Sequence, residues 1–217
     1  MKIVNVELVT SAAADGPRRG LVRDDVPQFA FVGRSNVGKS SLLNALVRRR
    51  IARTSATPGK TRQANIYLVT IDGGAGGPGT WRTYLVDLPG YGYARGSREA
   101  ARELADVVEA YFATGLRGRR DDEQDTVEGP RRRGVFLLVD ARHPGLPLDR
   151  QAFDWITQTV ERPRIVATKI DKLSRSARAK NLREIARHFD AEPIGVSSET
   201  GEGIDELWRV VATLARS

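Results

Sequence analysis

One segment constrains the fold more than any other, a glycine-rich loop set between a strand and a helix. Gln28–Val32 is a short, mostly apolar run typical of a buried strand, and apolar residues recur at helical spacing over Ser41–Val47. The loop between them consists of Gly33, Arg34, Ser35, Asn36, Val37, Gly38, Lys39 and Ser40. Glycines let the backbone turn tightly, so that amide N–H groups at the positive end of the helix face an anion. This order predicts a phosphate-binding loop, with Lys39 on the β- and γ-phosphates of a nucleotide and the Ser40 hydroxyl on Mg²⁺.

A second motif narrows the class of protein, because kinases, ATPases and GTPases all share such a loop. Trp81–Val86 alternates as a half-buried strand does, and the residues after it are Asp87, Leu88, Pro89 and Gly90. An Asp at the carboxyl end of a strand can reach Mg²⁺ through a water molecule. The Gly90 amide can bond a γ-phosphate and move when that phosphate leaves. The motif therefore indicates a switch that senses the γ-phosphate.

Two later motifs predict that the base is guanine. The strand-like run Arg164–Ala167 leads into Thr168, Lys169, Ile170 and Asp171, and another run leads into Val196, Ser197 and Ser198. Ligands in parallel α/β sheets bind beyond the carboxyl ends of the strands. The Asp171 carboxylate can accept two hydrogen bonds from guanine, whereas adenine would leave it unpaired. The Lys169 stem can lie along the base, and the amides of Ser197 and Ser198 can meet the guanine oxygen. Taken alone, Asp171 or Ser174 could instead cap the helix that follows.

Alternating strands and helices predict an α/β fold, a mixed and mostly parallel six-stranded sheet with helices on both faces. The predicted strands are 29–33, 63–71, 81–87, 134–140, 164–169 and 193–197, and the predicted helices are 39–49, 98–113, 148–160, 174–188 and 203–215. The connection between strands 63–71 and 81–87 is too short for a crossover helix, so we expect an antiparallel hairpin. Residues 1–26 are predicted to be an N-terminal extension that can add an edge strand. The nucleotide-binding domain then spans 27–217, with mobile insertions at 72–80 and 115–133.

Four segments carry a resemblance to a known family. They are Gly33–Leu42, Thr54–Gln63, Asp87–Ala94 and Asp140–Pro144. Together they resemble the EngB/YsxC family of bacterial ribosome-biogenesis GTPases, over residues 27–214. The resemblance implies a Ras-like P-loop G domain of the TrmE-Era-EngA-EngB-Septin-like class, which binds GTP or GDP with Mg²⁺. It also implies a role in late assembly of the large ribosomal subunit, needed for normal growth and cell division.

The resemblance further assigns two switch loops. The first is formed by Gly59, Lys60, Thr61, Arg62 and Gln63, with the Thr61 hydroxyl on Mg²⁺ in the GTP state, and the second by residues 87–97. The implied catalytic roles fall to Lys39, Thr61 and Gly90. Many GTPases place a Gln after Asp-x-x-Gly to orient the attacking water, whereas this chain has Tyr91 there. Intrinsic hydrolysis of GTP is therefore expected to be slow and to be stimulated by a partner, through an arginine finger for example, or by a monovalent cation. Asn36 is the candidate K⁺ ligand, as in similar GTPases, and the alternative is that it only shapes the loop.

Net charge and composition limit the classes of partner that we expect for this protein. The formal net charge of +8 suits a polyanion, and the ribosomal RNA and proteins of the large subunit fit. Arg48–Arg50 with Arg53 is the best basic patch, although basic residues at a helix C-terminus also complement its dipole. The 217 residues include no cysteine, no signal peptide and no apolar run of membrane-spanning length, so we expect a cytoplasmic monomer without a membrane partner.

Two other functions stay open: a GTPase with a protein client, such as a division or signalling factor, and a nucleotide or small-molecule kinase, against which Asp171 argues.

Overall fold

The predicted alternation of strands and helices is confirmed by a computed structural model of the chain. The structure describes residues 1–13, 24–52, 63–73, 79–91, 133–159 and 163–216. Within them the strands are β1 (Ile3–Ala13), β2 (Gln28–Gly33), β3 (Gln63–Asp72), β4 (Thr80–Asp87), β5 (Arg133–Asp140), β6 (Arg164–Thr168) and β7 (Ile194–Gly195). The helices are α1 (Lys39–Val47), α2 (Pro147–Thr159), α3 (Arg175–Phe189) and α4 (Ile204–Arg216), with a 3₁₀ turn at Ile170–Lys172. Helix α1 ends two residues before its predicted end, with Arg48 as its C-cap.

One mixed sheet joins the strands in the order β1-β3-β4-β2-β5-β6-β7. Strands β2, β4, β5, β6 and β7 run parallel, whereas β3 pairs antiparallel with β4 on one side and with β1 on the other. The predicted β3–β4 hairpin is therefore confirmed. Beyond the last strand residues, the Gly73 N–H donates to the Gly79 carbonyl at 2.8 Å.

The sheet has seven strands, so the predicted count of six is wrong by one. The additional strand is β1, whose pairing with β3 extends from Ile3 opposite Ile71 to Ala13 opposite Gln63. The β-branched residues of β1 favour any half-buried extended segment and do not specify a partner strand. Register depends on contacts with a strand distant in sequence, which a local pattern does not reveal.

The centre of the sheet is buried on both faces because helices cover both. Every residue of β2 is buried. Its side chains alternate, so that Phe29 and Phe31 pack with α1 and α4, while Ala30 and Val32 pack with α2 and α3. On the first face, the indole N–H of a buried tryptophan in α4, Trp208, donates to the carbonyl of Leu46 in α1 at 2.9 Å.

The parallel strands bring their carboxyl ends to one edge of the sheet. There β2 ends at Gly33, β4 at Asp87, β5 at Asp140 and β6 at Thr168. Loops that follow parallel strands lie outside this edge. The phosphate loop, the Asp87 motif and the guanine motif consequently emerge side by side.

Several predicted segments fall outside the described residues. They are the helix 98–113, residues 59–62 of the first switch, residues 92–97 of the second switch, residues 74–78 of the hairpin tip and residues 115–132 of the second insertion. Among the helices of the described ranges, none is long and apolar enough to cross a membrane.

Candidate functional site

The phosphate loop turns sharply between β2 and α1. Asn36 and Gly38 have φ angles of 63° and 107°, a left-handed conformation that glycine adopts without penalty and asparagine tolerates. The N–H of the buried Val37 donates to the Arg34 carbonyl at 3.1 Å, which closes the turn. Gly38 is the N-cap residue of α1, and its carbonyl accepts the Leu42 N–H at 2.8 Å. The loop therefore ends with its backbone aligned to the axis of the helix.

The start of α1 presents donors that have no protein acceptor. The N–H groups of Gly38, Lys39 and Ser40 donate to no acceptor among the residues that the structure describes, as expected in the first turn of a helix. Beside them the Lys39 ammonium forms an ion pair with Asp87, and these side chains are only 10 % and 5 % exposed. Several amide donors and a nearly buried ammonium at a helix N-terminus fit the oxygens of a phosphate group.

The segment after Asp87 is hydrogen-bonded to the phosphate loop. The Tyr91 N–H donates to the Gly33 carbonyl at 3.3 Å, and the Ser35 N–H donates in return to the Tyr91 carbonyl at 2.9 Å. Gly90 lies so close to the loop that a Cβ atom there would be 3.2 Å from the Ser35 nitrogen. The first two motifs thus form one backbone unit, in which position 90 has little room for a side chain.

A buried polar cluster lies behind this unit. The Tyr91 hydroxyl and the Arg34 Nε each donate to Asp149 Oδ1 at 2.9 Å. The other Asp149 oxygen is buried and has no hydrogen-bond partner in the described part of the chain. Burial raises the pKa of Asp149 despite the opposing effects of Arg34 and Tyr91, and burial together with Asp149 raises the pKa of Tyr91 well above its usual value. The Tyr91 side chain therefore points towards α2 and is held there.

The residues predicted to bind the base contact the phosphate loop directly. The buried Thr168 hydroxyl donates to the Val37 carbonyl at 2.7 Å. Lys169 has a φ angle of 61°, and its ammonium donates to the Asn36 carbonyl at 2.6 Å. The stem of Lys169 consequently extends from the end of β6 to the phosphate loop.

A carboxylate at the end of β5 holds Lys169 from the other side. Asp140 Oδ2 accepts the Lys169 ammonium at 3.0 Å, while Arg142 grips both carboxylate oxygens, at 2.9 Å from Nε and 2.8 Å from Nη2. Burial by itself would raise the pKa of Asp140, but the hydrogen bonds from Arg142 and Lys169 hold it well below its usual range. Asp140 is therefore ionised at neutral pH, and Lys169 lies between a carboxylate and the phosphate-loop backbone.

The Ser197 side chain, in the motif Val196–Ser198, orients the Asp171 carboxylate. A hydrogen bond with the Ser197 side chain, supported by Lys172, lowers the pKa of Asp171. The fully buried Ser197 hydroxyl oxygen also accepts the N–H groups of Glu199 at 3.2 Å and Thr200 at 3.1 Å. Two backbone donors thus hold the Ser197 hydroxyl in place beside the carboxylate. Asp171 is thus an ionised, oriented acceptor.

The N-cap of α3 is a different residue. Ser174 occupies the cap position, and its hydroxyl accepts the Ala177 N–H at 3.3 Å. Of the two capping candidates in the sequence, the structure therefore selects Ser174. Asp171 lies in the preceding 3₁₀ turn, where its side chain is 13 % exposed and available to a ligand.

The backbone around Val196 is hydrogen-bonded to the backbone around Thr168–Asp171. The Val196 N–H donates to the Ala167 carbonyl at 2.8 Å, and the Ile170 N–H donates to the Val196 carbonyl at 3.4 Å. Ser198 follows directly after Ser197 on this loop. In the first switch, Gly59, Lys60, Thr61 and Arg62 lie outside the described residues, and Gln63 is the first residue of β3.

Sequence reasoning missed the contributions of two acidic residues. Asp140 was visible only as part of a segment of family resemblance, yet an acid at the carboxyl end of a buried strand is a signal that could have identified it. Asp149 carries no such signal, because acids in the first turn of a helix are common for reasons of helix dipole alone.

The polar cluster leads to a prediction about stability. Tyr91→Phe removes a hydrogen bond to a buried carboxylate, so the free energy of unfolding should fall by about 1.5–3 kcal/mol. Urea unfolding would measure this change as a lower midpoint with an unaltered slope.

Tyr84→Phe is the matched control. Its hydroxyl donates to Asp24 at 2.8 Å, but that aspartate is exposed, so the loss should be below about 1 kcal/mol. Equal losses in the two variants would show that the Tyr91 hydroxyl has no special role in holding the loop.

Comparisons with known proteins identify the family of the chain. Residues 28–169 match the family model described as a 50S ribosome-binding GTPase. The chain is 43% identical over 218 residues to the "Probable GTP-binding protein EngB" of Pelotomaculum thermopropionicum, an alignment that covers 97% of this chain and 96% of the relative. It is 41% identical over 220 residues to the protein of the same name from Thermotoga petrophila, covering 100% and 99% of the two chains.

Solved structures show the same fold. A crystal structure of a probable GTP-binding protein EngB superimposes with a TM-score of 0.58 at 19% identity, covering 87% of this chain and 98% of that one. A variant of Aquifex aeolicus Era bound to GDP and AlF4⁻ superimposes with a TM-score of 0.64 at 22% identity, covering 88% and 57%. Because the sequence relatives match over nearly their whole length, the chain belongs to the EngB family of GTP-binding proteins, P-loop GTPases that bind GTP or GDP and hydrolyse GTP.

Proposed function

We propose that this GTPase acts in the cytoplasm as a switch in assembly of the large ribosomal subunit, and that growth and cell division depend on it. The binding of a guanine nucleotide is supported above all by the position of Lys169. Its ammonium contacts the phosphate loop, and it lies two residues before Asp171, the proposed base ligand. A nucleotide seated there would meet both ends of the site at once. The family description as ribosome-binding and the net charge of +8 support the ribosomal part.

The phosphate end of the site fits a nucleotide with Mg²⁺. The amides of Gly38, Lys39 and Ser40 would bond phosphate oxygens, and Lys39 would exchange its Asp87 partner for the β- and γ-phosphates. Asp87 would then face the metal through a water molecule, and the hydroxyls of Ser40 and Thr61 would be its protein ligands. When bound, Mg²⁺ neutralises charge on the β- and γ-oxygens. Gly90 would bond the γ-phosphate by its amide, next to Ser35 of the loop.

The base end of the site favours guanine. Two donors of guanine would bond the ionised Asp171 carboxylate, whose orientation Ser197 fixes. ATP would leave that carboxylate without these partners, which is a penalty that pocket shape alone does not impose.

Hydrolysis by the isolated protein is proposed to be slow. The Tyr91 hydroxyl bonds Asp149 behind the phosphate loop, so this side chain does not orient a water molecule at the γ-phosphate. A group from a partner, or K⁺ held by the exposed Asn36 side chain, would supply the stimulation. The Asn36 carbonyl is occupied by Lys169, which leaves the side-chain amide oxygen for such a cation.

The base contact gives the first test. Asp171→Asn replaces an acceptor by a donor opposite the guanine donors, so GTP affinity should fall about 100-fold while affinity for xanthosine triphosphate rises. Equilibrium binding of the two nucleotides would measure this exchange of preference. The control is Asp154→Asn, which removes an exposed carboxylate from α2. Unchanged GTP binding by the Asp171 variant would refute the assigned contact.

The Asp140 carboxylate gives the second test. Asp140→Asn presents a donor to the two cations that it now accepts from, so Lys169 would lose one of its two anchors. The dissociation of GDP should become about tenfold faster, as expected for one lost charge-assisted bond. Stopped-flow release of a fluorescent GDP analogue would measure the rate.

A double-mutant cycle separates positioning from general destabilisation. If Asp140 acts through Lys169, then Asp140→Asn should have little further effect on GDP release in a Lys169→Ala background. Additive effects in the double variant would mean that Asp140 does not act on the nucleotide through Lys169.

The ribosomal client is tested by co-sedimentation with purified large ribosomal subunits. Pelleting should be stronger with a non-hydrolysable GTP analogue than with GDP or no nucleotide, because the switch would favour one state. Lys39→Ala, which should not bind nucleotide, is the control and should lose this difference. If nothing pellets in any state, a protein client becomes the better function for the same GTPase.

A further inference from the structure

The outward side of α3 is strongly basic. The inner side of the helix buries Ile185 and Phe189. On the outer side Lys180, Arg183 and Arg187 are exposed at spacings of three and four residues, which places them along one stripe. With a rise of about 1.5 Å per residue, the stripe spans about 10 Å. These three residues form the basic face of α3.

Among the residues that the structure describes, one carboxylate lies in the groove beside the three positive charges of this face. The groove of about 490 Å³ that lies here is lined by Lys180, Arg183, Glu184, Arg187 and His188. Its one carboxylate, Glu184, lies 3.8 Å from His188. Within the described ranges no carboxylate is at ion-pair distance from the three basic residues. Arg183 uses its Nε to bond a carbonyl of its own helix and keeps the rest of its guanidinium outward.

Two cations beside this face are paired with carboxylates. Arg178 of the same helix contacts Glu202 at 2.5 Å, and Lys172, just before the helix, contacts Asp171 at 3.1 Å. A merely solvated helix surface usually mixes both signs of charge. The basic face of α3 therefore carries a surplus of positive charge, with three cations beside one carboxylate, whereas Arg178 and Lys172 are each paired.

The face lacks apolar anchors. Where the structure describes the chain, the exposed large apolar side chains are Met1, Val4, Leu8, Val9 and Leu148, none of which belongs to α3. Helices that lie on membranes need large apolar residues beside the cations, and the centres of protein interfaces are depleted in charge. A sugar-phosphate backbone needs only closely spaced cations.

We propose that the basic face of α3 binds the phosphate backbone of RNA in the large ribosomal subunit. This inference rests on the proposed function, because it names the surface and the chemistry through which that client is held. Lys180, Arg183 and Arg187 each contact phosphate oxygens, and the groove beside them follows the backbone. The contact is not specific for base sequence, because it uses charge alone.

The position of the face separates it from the nucleotide switch. Helix α3 begins just after the base-binding turn and runs away from it, so Lys180 and Arg187 lie about 8 Å and 18 Å beyond its first residue. None of the three residues contacts the phosphate loop or Asp87. The face therefore supplies an RNA affinity that is the same with GTP and GDP, and the switch loops supply the difference between the two states.

The experiment uses the full-length chain and deproteinised RNA from large ribosomal subunits. In the triple variant Lys180→Gln, Arg183→Gln and Arg187→Gln, RNA affinity should fall at least about tenfold near 100 mM salt. The slope of log affinity against log salt, measured between about 50 and 200 mM, should become shallower by about 2–3, because three phosphate contacts are lost. GTP binding and hydrolysis should be unchanged.

A matched control removes the same charge elsewhere. Arg82→Gln, Arg164→Gln and Arg209→Gln neutralise three exposed arginines that lie on three separate elements, β4, β6 and α4. This control should keep most of the affinity and slope of the unmodified protein, and circular dichroism should show both variants folded. Equal losses in the two triple variants would overturn the proposal, since net charge alone would then explain them.

The outcomes also separate this proposal from the proposed function. If the unmodified protein pellets with large subunits but the α3 variant pellets equally well, the RNA-binding role of the basic face of α3 is refuted. The large subunit then remains the partner under the proposed function. If the unmodified protein binds neither subunits nor their RNA, both fail. Binding to anionic phospholipid vesicles that is lost in the α3 variant, without RNA binding, would overturn the proposal in favour of a membrane surface.

Discussion

The site depends on a phosphate loop that is hydrogen-bonded from both flanks. On one flank Tyr91 exchanges backbone bonds with Gly33 and Ser35, so that the start of the second switch is joined to the loop. On the other flank Thr168 and Lys169 donate side-chain bonds to the carbonyls of Val37 and Asn36. The loop follows the end of β2, and two of its residues are left-handed, so its backbone does not continue the pairing with the neighbouring strands. The hydrogen bonds from the two flanks replace the strand-to-strand bonds that end with β2. The segments predicted to bind the phosphates and the base are therefore joined by hydrogen bonds.

Three cations around the phosphate loop are paired with carboxylates. Lys39 has Asp87, Lys169 has Asp140, and Arg34 has Asp149, so each of these cations near the site has a carboxylate partner. Such pairing keeps cations oriented in a partly dry environment, where an unpaired charge would be costly. The excess of positive charge consequently lies on surfaces such as the basic face of α3. The RNA contact proposed for this face would therefore leave the binding of the nucleotide undisturbed.

The predictability of the site differs from residue to residue. Gly38, Lys39 and Ser40 could be placed from sequence because a strand, a loop and a helix that are adjacent in the chain must also be adjacent in space. Asp87, Thr168 and Ser197 followed from the rule that the ends of parallel strands meet. Tyr91 could be recognised as unlike glutamine, but its burial against Asp149 depends on how α2 packs behind the loop. The strand β1 was underestimated for a related reason, because its partner β3 is distant in the chain.

The sequence by itself determined the order of the described strands and helices, the hairpin and the GTPase class, and it predicts the residues that would bind the nucleotide. These properties reside in local periodicity and in motifs of a few adjacent residues, which near neighbours are sufficient to specify. Only the tertiary structure decided that Asp140 braces Lys169, that Ser174 rather than Asp171 caps α3, and that Lys180, Arg183 and Arg187 have no carboxylate at ion-pair distance in the described part of the chain. Those outcomes are set by side chains that approach each other from separate elements, and their distances are fixed by how the helices pack on the two faces of the sheet.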